Sequence, residues 1–117
     1  MIKGIGIDLI ELERIHKHIQ DQRFIDRILT KAEQQIYFTL KSNTRKAEFL
    51  AGRFAAKEAF SKAIGTGIGT LSFQDIEVLS NELGAPVINV NGFDTEKIFI
   101  SITHSQSYAL AQVIIAK

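Results

Sequence analysis

Cysteine and tryptophan are absent from this chain of 117 residues, and proline occurs once. Without cysteine there is no disulfide framework and no thiol nucleophile. The three histidines do not stand at zinc-binding spacing. An excess of one charge is lacking too: 14 Lys and Arg face 13 Asp and Glu, for a net charge of +1. Bulk charge therefore does not point to nucleic acid, and any basic patch must be local. No apolar run approaches the length of a membrane span. The start Met1-Ile2-Lys3-Gly4 is apolar, but its glycines and Asp8 interrupt it too early for a signal segment. There is no repeat, linker or low-complexity stretch. The expectation is one soluble cytoplasmic domain over residues 1–117, with a modest core and neither nucleic-acid nor membrane partner.

What is present is an ordinary globular composition, 45% apolar and 23% charged, with a clear order of patterns. Met1 to Ile10 reads as a strand in which Gly4 and Gly6 mark close backbone approach. Alternation puts Asp8 with those glycines, on the face opposite Ile5, Ile7 and Leu9. The residues leave two roles open for Asp8, a cap for the following helix or a functional carboxylate. Glu11 to Ile19 is helix-like, with Leu12, Ile15 and Ile19 in one stripe and Arg14, Lys17 and His18 pointing away. Arg23 to Leu29 is a second helical piece. Thr30 and Glu33 form a capping box that starts a third, running to about Lys41. Ser42-Asn43-Thr44 is a turn, and a long helix begins near Asn43 or Thr44. After it, Phe73–Leu79, Val87–Val90, Lys97–Thr103 and Tyr108–Ile115 read as strands. One strand, several helices and four strands give an α+β fold, a small antiparallel sheet packed on a long central helix.

The central helix carries the densest chemistry. Arg53 to Ile64 runs without Pro or Gly, and Gly65 is a natural stop. Glu58 and Lys62 share a face, as do Arg53 and Lys57 on a neighbouring one. A solvated charged face is one reading. The other is phosphate binding: the bases stand directly before Gly65-Thr66-Gly67, whose backbone N–H groups suit close approach to a phosphate. The motif is neither a Walker loop nor a dinucleotide fingerprint, because there the glycines open a helix and here they close one. The stretch Ser101 to Ser107 is rich in hydroxyls around His104. It lacks a nucleophile elbow, which argues against a hydrolytic triad, and leaves a hairpin turn or a nucleotide contact.

Three stretches together resemble one family. They are Gly4-Ile5-Gly6-Ile7-Asp8-Leu9-Ile10-Glu11-Leu12-Glu13-Arg14-Ile15, then Phe54-Ala55-Ala56-Lys57-Glu58-Ala59-Phe60-Ser61-Lys62-Ala63 with Gly65-Thr66-Gly67, then Ser101-Ile102-Thr103-His104 with its Ala- and Val-rich tail. In that order they are similar to the holo-acyl-carrier-protein synthases, the short bacterial branch of the 4′-phosphopantetheinyl transferases. The resemblance implies transfer of the phosphopantetheine arm of coenzyme A to a serine of apo-acyl carrier protein, releasing adenosine 3′,5′-bisphosphate, in fatty acid synthesis. It implies Mg²⁺ and a homotrimer with active sites between subunits.

The residue chemistry is compatible with this. Phosphoryl transfer is catalysed mostly by positioning and charge neutralisation. Asp8 and Glu58 would hold Mg²⁺, Lys62 would stabilise developing negative charge, and Arg53 and Lys57 would hold nucleotide phosphates. Gly65, Thr66, Gly67, Thr103 and His104 would complete the coenzyme A pocket. Arg14, Lys17, Arg23 and Arg27 form the basic cluster expected to dock the acidic carrier. The sequence departs from the family pattern at Asp21 and Gln22, where more base is expected. It departs also at Gln34 or Gln35, where an acid is expected, and at Ala85, where Lys is common. Two other readings remain, a Mg²⁺-dependent nucleotide pyrophosphate hydrolase and a non-enzymatic nucleotide-binding trimer.

Overall fold

The computed structural model describes residues 1–65 and 71–117. Strand β1 (Ile2–Glu11) leads through helices α1 (Leu12–His16), α2 (Gln22–Ile28) and α3 (Lys31–Tyr37) to the long helix α4 (Asn43–Ile64). A 3-10 turn at Phe73–Asp75 precedes the hairpin β2 (Ile76–Ser80) and β3 (Pro86–Val90); β4 (Lys97–His104) and β5 (Tyr108–Ala116) follow. The α+β class and the element order are those expected. The strands form two antiparallel sheets rather than one, β1-β5-β4 and β2-β3.

Helix α4 and strand β1 touch backbone to backbone, and the sequence explains why. Ala47, Ala51, Ala55 and Ala59 are buried at intervals of four, a stripe of small residues along α4. Gly4 and Gly6 answer it from the strand. A Cβ at Gly6 would overlap the Ala59 carbonyl oxygen, and one at Gly4 the Ala63 carbonyl oxygen. Close approach, not backbone freedom, is what these two glycines supply. The α4-facing side of β1 is therefore Gly4, Gly6, Asp8 and Ile10. The other side carries Ile5, Ile7 and Leu9, which are 56%, 51% and 58% exposed. Ile5 pairs with Ile114 of β5, which pairs with the exposed Phe99 of β4, so the outer face of the three-stranded sheet is apolar and open.

Several boundaries differ from expectation, each for a local reason. Helix α1 ends at His16, although Leu12, Ile15 and Ile19 are all buried as the stripe predicts. His18 does not point away: its ring stacks on Phe24 at 4.3 Å between centroids. Helix α3 has the expected capping box but stops at Tyr37, where Thr39 donates to the Ile36 carbonyl through backbone and hydroxyl alike. Ser42, one residue before the expected caps, closes the first turn of α4 by accepting from the Arg45 N–H at 3.0 Å. Phe73–Asp75 is not strand, because Ser72 and Asp75 form their own capping box there.

Candidate active site

The close contact of β1 with α4 brings Asp8 to Lys62, 54 residues apart in sequence. The Lys62 ammonium donates to Asp8 Oδ1 at 3.1 Å and to the Ile7 carbonyl at 3.0 Å. Asp8 therefore does not cap α1, whose N-cap is Glu11 with no side-chain cap bond. Glu58 lies one turn before Lys62. Burial, and after it the negative charge of Asp8, pushes its carboxyl above the ordinary range, while Lys62 and Arg27 oppose that shift. The charge of Asp8 thus acts on Glu58 as a repulsion, and the charges of Lys62 and Arg27 act on it in the opposite sense. Gly65 ends the helix at φ 82°, a left-handed conformation that glycine adopts without strain, and its N–H bonds to the Lys62 carbonyl at 3.1 Å. Thr66 and Gly67 lie outside the described residues.

Lys57 does not stand where a nucleotide phosphate could meet it. Its side chain has no exposed surface, and it pairs with the equally buried Glu33 at 2.6 Å. Its ammonium also donates to the Ile28 and Phe73 carbonyls, at 2.7 and 3.2 Å. All three donors have acceptors inside the protein, so none faces a phosphate. Burial lowers the pKa of this ammonium, and Glu33 resists that shift. Glu33 read from sequence only as the end of a capping box. Its Oε1 does accept from the Thr30 N–H at 2.8 Å, but the same carboxylate takes Lys57 and the Val78 N–H.

Arg53 and His104 meet in a second place. They line a groove of about 380 Å³ with Arg45, Glu48, Phe49 and Gly52. The Arg53 guanidinium stacks over the Phe49 ring at 4.0 Å and donates to the Val78 carbonyl at 3.2 Å. His104 Nδ1 stands 3.6 Å from Glu48 Oε2, and Arg45 Nε 3.9 Å from Glu48 Oε1. Arg45 and Glu48 were missed; the signal for Arg45 was its four-residue spacing with Phe49 and Arg53 on α4. Thr103 precedes His104 and so belongs to the outer sheet face, opposite Leu110. Among the described residues no serine hydroxyl bonds to His104. Ser105 Oγ instead accepts the Ser107 and Tyr108 N–H groups, so the hydroxyl-rich stretch does form a hairpin turn. Arg53 lies five residues before Glu58 on α4, roughly 7.5 Å along the axis and about 140° around it, so the groove and the carboxylates open on different faces of the helix.

Arg14, Lys17, Arg23 and Arg27 are all exposed. Asp21, an acid among them, is the N-cap of α2, accepting from the Phe24 N–H at 3.3 Å. Arg27 does more than face solvent: it sits 5.8 Å over the Phe73 ring, and its charge reaches Glu58. Gln34 donates its amide to the Leu29 carbonyl, and Ala85 donates its N–H to Asn81 Oδ1 in the β2–β3 hairpin.

The 4′-phosphopantetheinyl transferase superfamily matches this chain over residues 4–113. The chain belongs to that superfamily. A holo-[acyl-carrier-protein] synthase of a Geobacillus strain is 56% identical, aligned over 100% of this chain and 98% of its own length. One from Oceanobacillus iheyensis is 53% identical over 98% of this chain and 97% of its own. Among solved structures, a holo-(acyl-carrier-protein) synthase from Bacillus anthracis in complex with CoA (3′,5′-ADP) superposes with a TM-score of 0.92 at 48% identity, covering 100% of this chain and 99% of that one. The Helicobacter pylori enzyme in complex with coenzyme A gives 0.84 at 33%, covering 96% and 99%. As a phosphopantetheinyl transferase the chain has its carboxylate pair and Lys62 on one strand–helix contact and its arginine groove on another part of the same helix. Among the described residues no helix is long and apolar enough to cross a membrane.

Proposed function

We propose that this chain, acting as one catalytic domain in the cytoplasm, transfers the 4′-phosphopantetheine arm of coenzyme A to a serine of apo-acyl carrier protein and releases adenosine 3′,5′-bisphosphate. The observation that carries the reading is the meeting of Asp8, Glu58 and Lys62 in a chain matched end to end by synthases of that name.

The two carboxylates fit Mg²⁺. They are hard oxygen donors, and the repulsion that Asp8 exerts on Glu58 is what a divalent cation relieves. No cluster of three or more metal-ligating side chains occurs among the described residues. Mg²⁺ needs no such cluster, because it binds through one or two carboxylates together with waters and substrate phosphates. Bound there, the ion supplies charge neutralisation at the pyrophosphate. The protein's own residues do the rest. Lys62 is half exposed and carries its ammonium toward the phosphate on which negative charge develops. Glu58, one turn before Lys62 on α4, is the side chain placed to take the proton of the attacking serine. Arg53 and His104 bind the nucleotide end from their groove, with Gly65 at the pyrophosphate.

The groove and the carboxylates open on different faces of one α4, so they do not close on one pyrophosphate within a single subunit. A homotrimer resolves this, with the groove of one subunit completing the carboxylate site of the next. The open apolar face of β1-β5-β4 supports such packing, since monomers rarely leave large apolar patches uncovered. The basic residues on α1 and α2 dock the acidic carrier.

The test is mass spectrometry of apo-acyl carrier protein incubated with coenzyme A, Mg²⁺ and this protein. The carrier gains the mass of one phosphopantetheine arm. Cleavage of coenzyme A with no acceptor present and no gain in carrier mass refutes the transferase reading in favour of a hydrolase.

A further inference from the structure

The reaction as derived makes no direct use of the most deeply buried charges in the molecule. Lys57 and Glu33 have no exposed side-chain surface. The Lys57 ammonium holds Glu33 Oε1, the Ile28 carbonyl at the end of α2 and the Phe73 carbonyl of the 3-10 turn. Glu33 holds the Thr30 N–H at the start of α3 and, through Oε2, the Val78 N–H of β2 at 2.7 Å. Four elements are thus fastened to α4 at the residue directly before Glu58. A buried ion pair is poor evidence for stability, because apolar side chains of the same volume often do as well. Its hydrogen bonds do specify geometry.

Two of those anchors bracket Arg27. Ile28 follows it in the chain. Phe73 provides the ring beneath its guanidinium, 5.8 Å from the centroid. Lys57 grips the backbone carbonyl of each. Phe73 is also in stacked contact with Phe54 of α4, at 5.6 Å between centroids, so the platform under Arg27 is fixed from two sides. We infer that Glu33 and Lys57 are positioning residues for the transfer reaction, holding the end of α2 and the 3-10 turn to α4 so that Arg27 stands beside Glu58. The inference rests on the transferase reading. It assigns Arg27 a place in the active site in addition to its exposed position on the carrier-docking helix. The substrate group it fits is an anionic phosphate brought up to Glu58.

The experiment compares wild type with the Glu33→Gln/Lys57→Met double variant, Arg27→Met and the triple variant. Wild type is assayed first on apo-carrier, and absence of transfer there overturns the function itself rather than this inference. The double variant removes both buried charges at similar volume but leaves the Ile28 and Phe73 carbonyls and one backbone N–H without partners, so it is expected to melt about 5–15 °C below wild type and is assayed at a temperature where it is folded. Its kcat falls by about tenfold to a hundredfold, as when a residue that orients a catalytic group is lost. The KM for coenzyme A changes less than about twofold, and kcat is referred to the concentration of folded protein read by circular dichroism, because loss of folded protein also lowers apparent kcat at constant KM. Arg27→Met lowers kcat as well, and adding it to the double variant lowers kcat no further, because the pair acts through Arg27. Phe73→Leu, which removes the ring beneath Arg27 and leaves the ion pair intact, shows the same split to a smaller degree and carries the test if the double variant does not fold. A folded pair variant with wild-type kcat, or losses from the pair and from Arg27 that multiply independently, overturns the inference and leaves the pair a structural brace.

Discussion

Replacing Gly6 with alanine should damage both stability and catalysis through a single methyl group. The new Cβ would overlap the Ala59 carbonyl oxygen and come within 2.7 Å of Ala63 N and 2.8 Å of Ala59 C. All of these are backbone atoms of α4, so no rotamer change relieves the clash. The helix must withdraw from β1 by roughly 1 Å, because interiors are packed to contact and the strand is held in register with β5. Overpacking of this kind costs about 1–3 kcal/mol. For a chain of this size that lowers the melting temperature by roughly 4–15 °C. The same shift pulls Lys62 from Asp8, a bond of 3.1 Å that depends on the strand–helix contact. Misplacing reacting groups by about 1 Å reduces turnover by about a hundredfold. The assay is transfer to carrier protein at a temperature where circular dichroism shows the variant folded. Gly52→Ala is the control. Its Cβ meets only Ile102 Cγ2, at 3.2 Å, the end of a side chain that can move. Alanine favours helix over glycine by about 0.5–1 kcal/mol, so this variant should melt at or slightly above wild type. If Gly6→Ala melts and turns over like wild type, the reasoning from backbone contact to site geometry is wrong.

Asp8→Asn and Glu58→Gln should each cut turnover by about a hundredfold or more while leaving the fold intact, and near wild-type rates at saturating Mg²⁺ would remove both from the metal site. Arg14→Glu and Arg23→Glu should raise the KM for carrier protein and leave that for coenzyme A alone, and raising salt from about 0.05 to 0.5 M should slow wild type at low carrier concentration. Unchanged carrier KM and salt response in both variants would move the docking face elsewhere. Light scattering should give a trimer, and Ile7→Lys, on the open sheet face, should shift it to monomer with loss of activity; an active wild-type monomer at micromolar concentration would refute the shared site.

How much was legible in the sequence differs by residue, and the reasons are physical. Asp8 was legible to its face because a strand has period two, and Gly4 and Gly6 announced the close approach that puts it against α4. Gly65 was legible because a helix end in the left-handed region selects glycine. Lys57 was not. It stands between Phe54 and Glu58 on a helix with four charged groups in ten residues, and periodicity says only which of them share a face. What decides its fate is whether an acid from elsewhere enters the interior to meet it. Glu33 does so, but its local pattern was complete without that: Thr30 and Glu33 already formed a capping box. A capping glutamate uses one carboxylate oxygen on the backbone and leaves the other free, and nothing nearby in sequence names the partner of the second. Here it is Val78, on a strand 45 residues later, with Lys57 sharing the first. The same logic separates Arg53 from Lys57, one turn apart on α4. Arg53 keeps part of its surface and lies on Phe49 in a groove, whereas Lys57 is enclosed by α2, α3 and the 3-10 turn. Two bases that read alike in the sequence thus take different work, one able to reach a ligand and the other holding the parts around Glu58 in place.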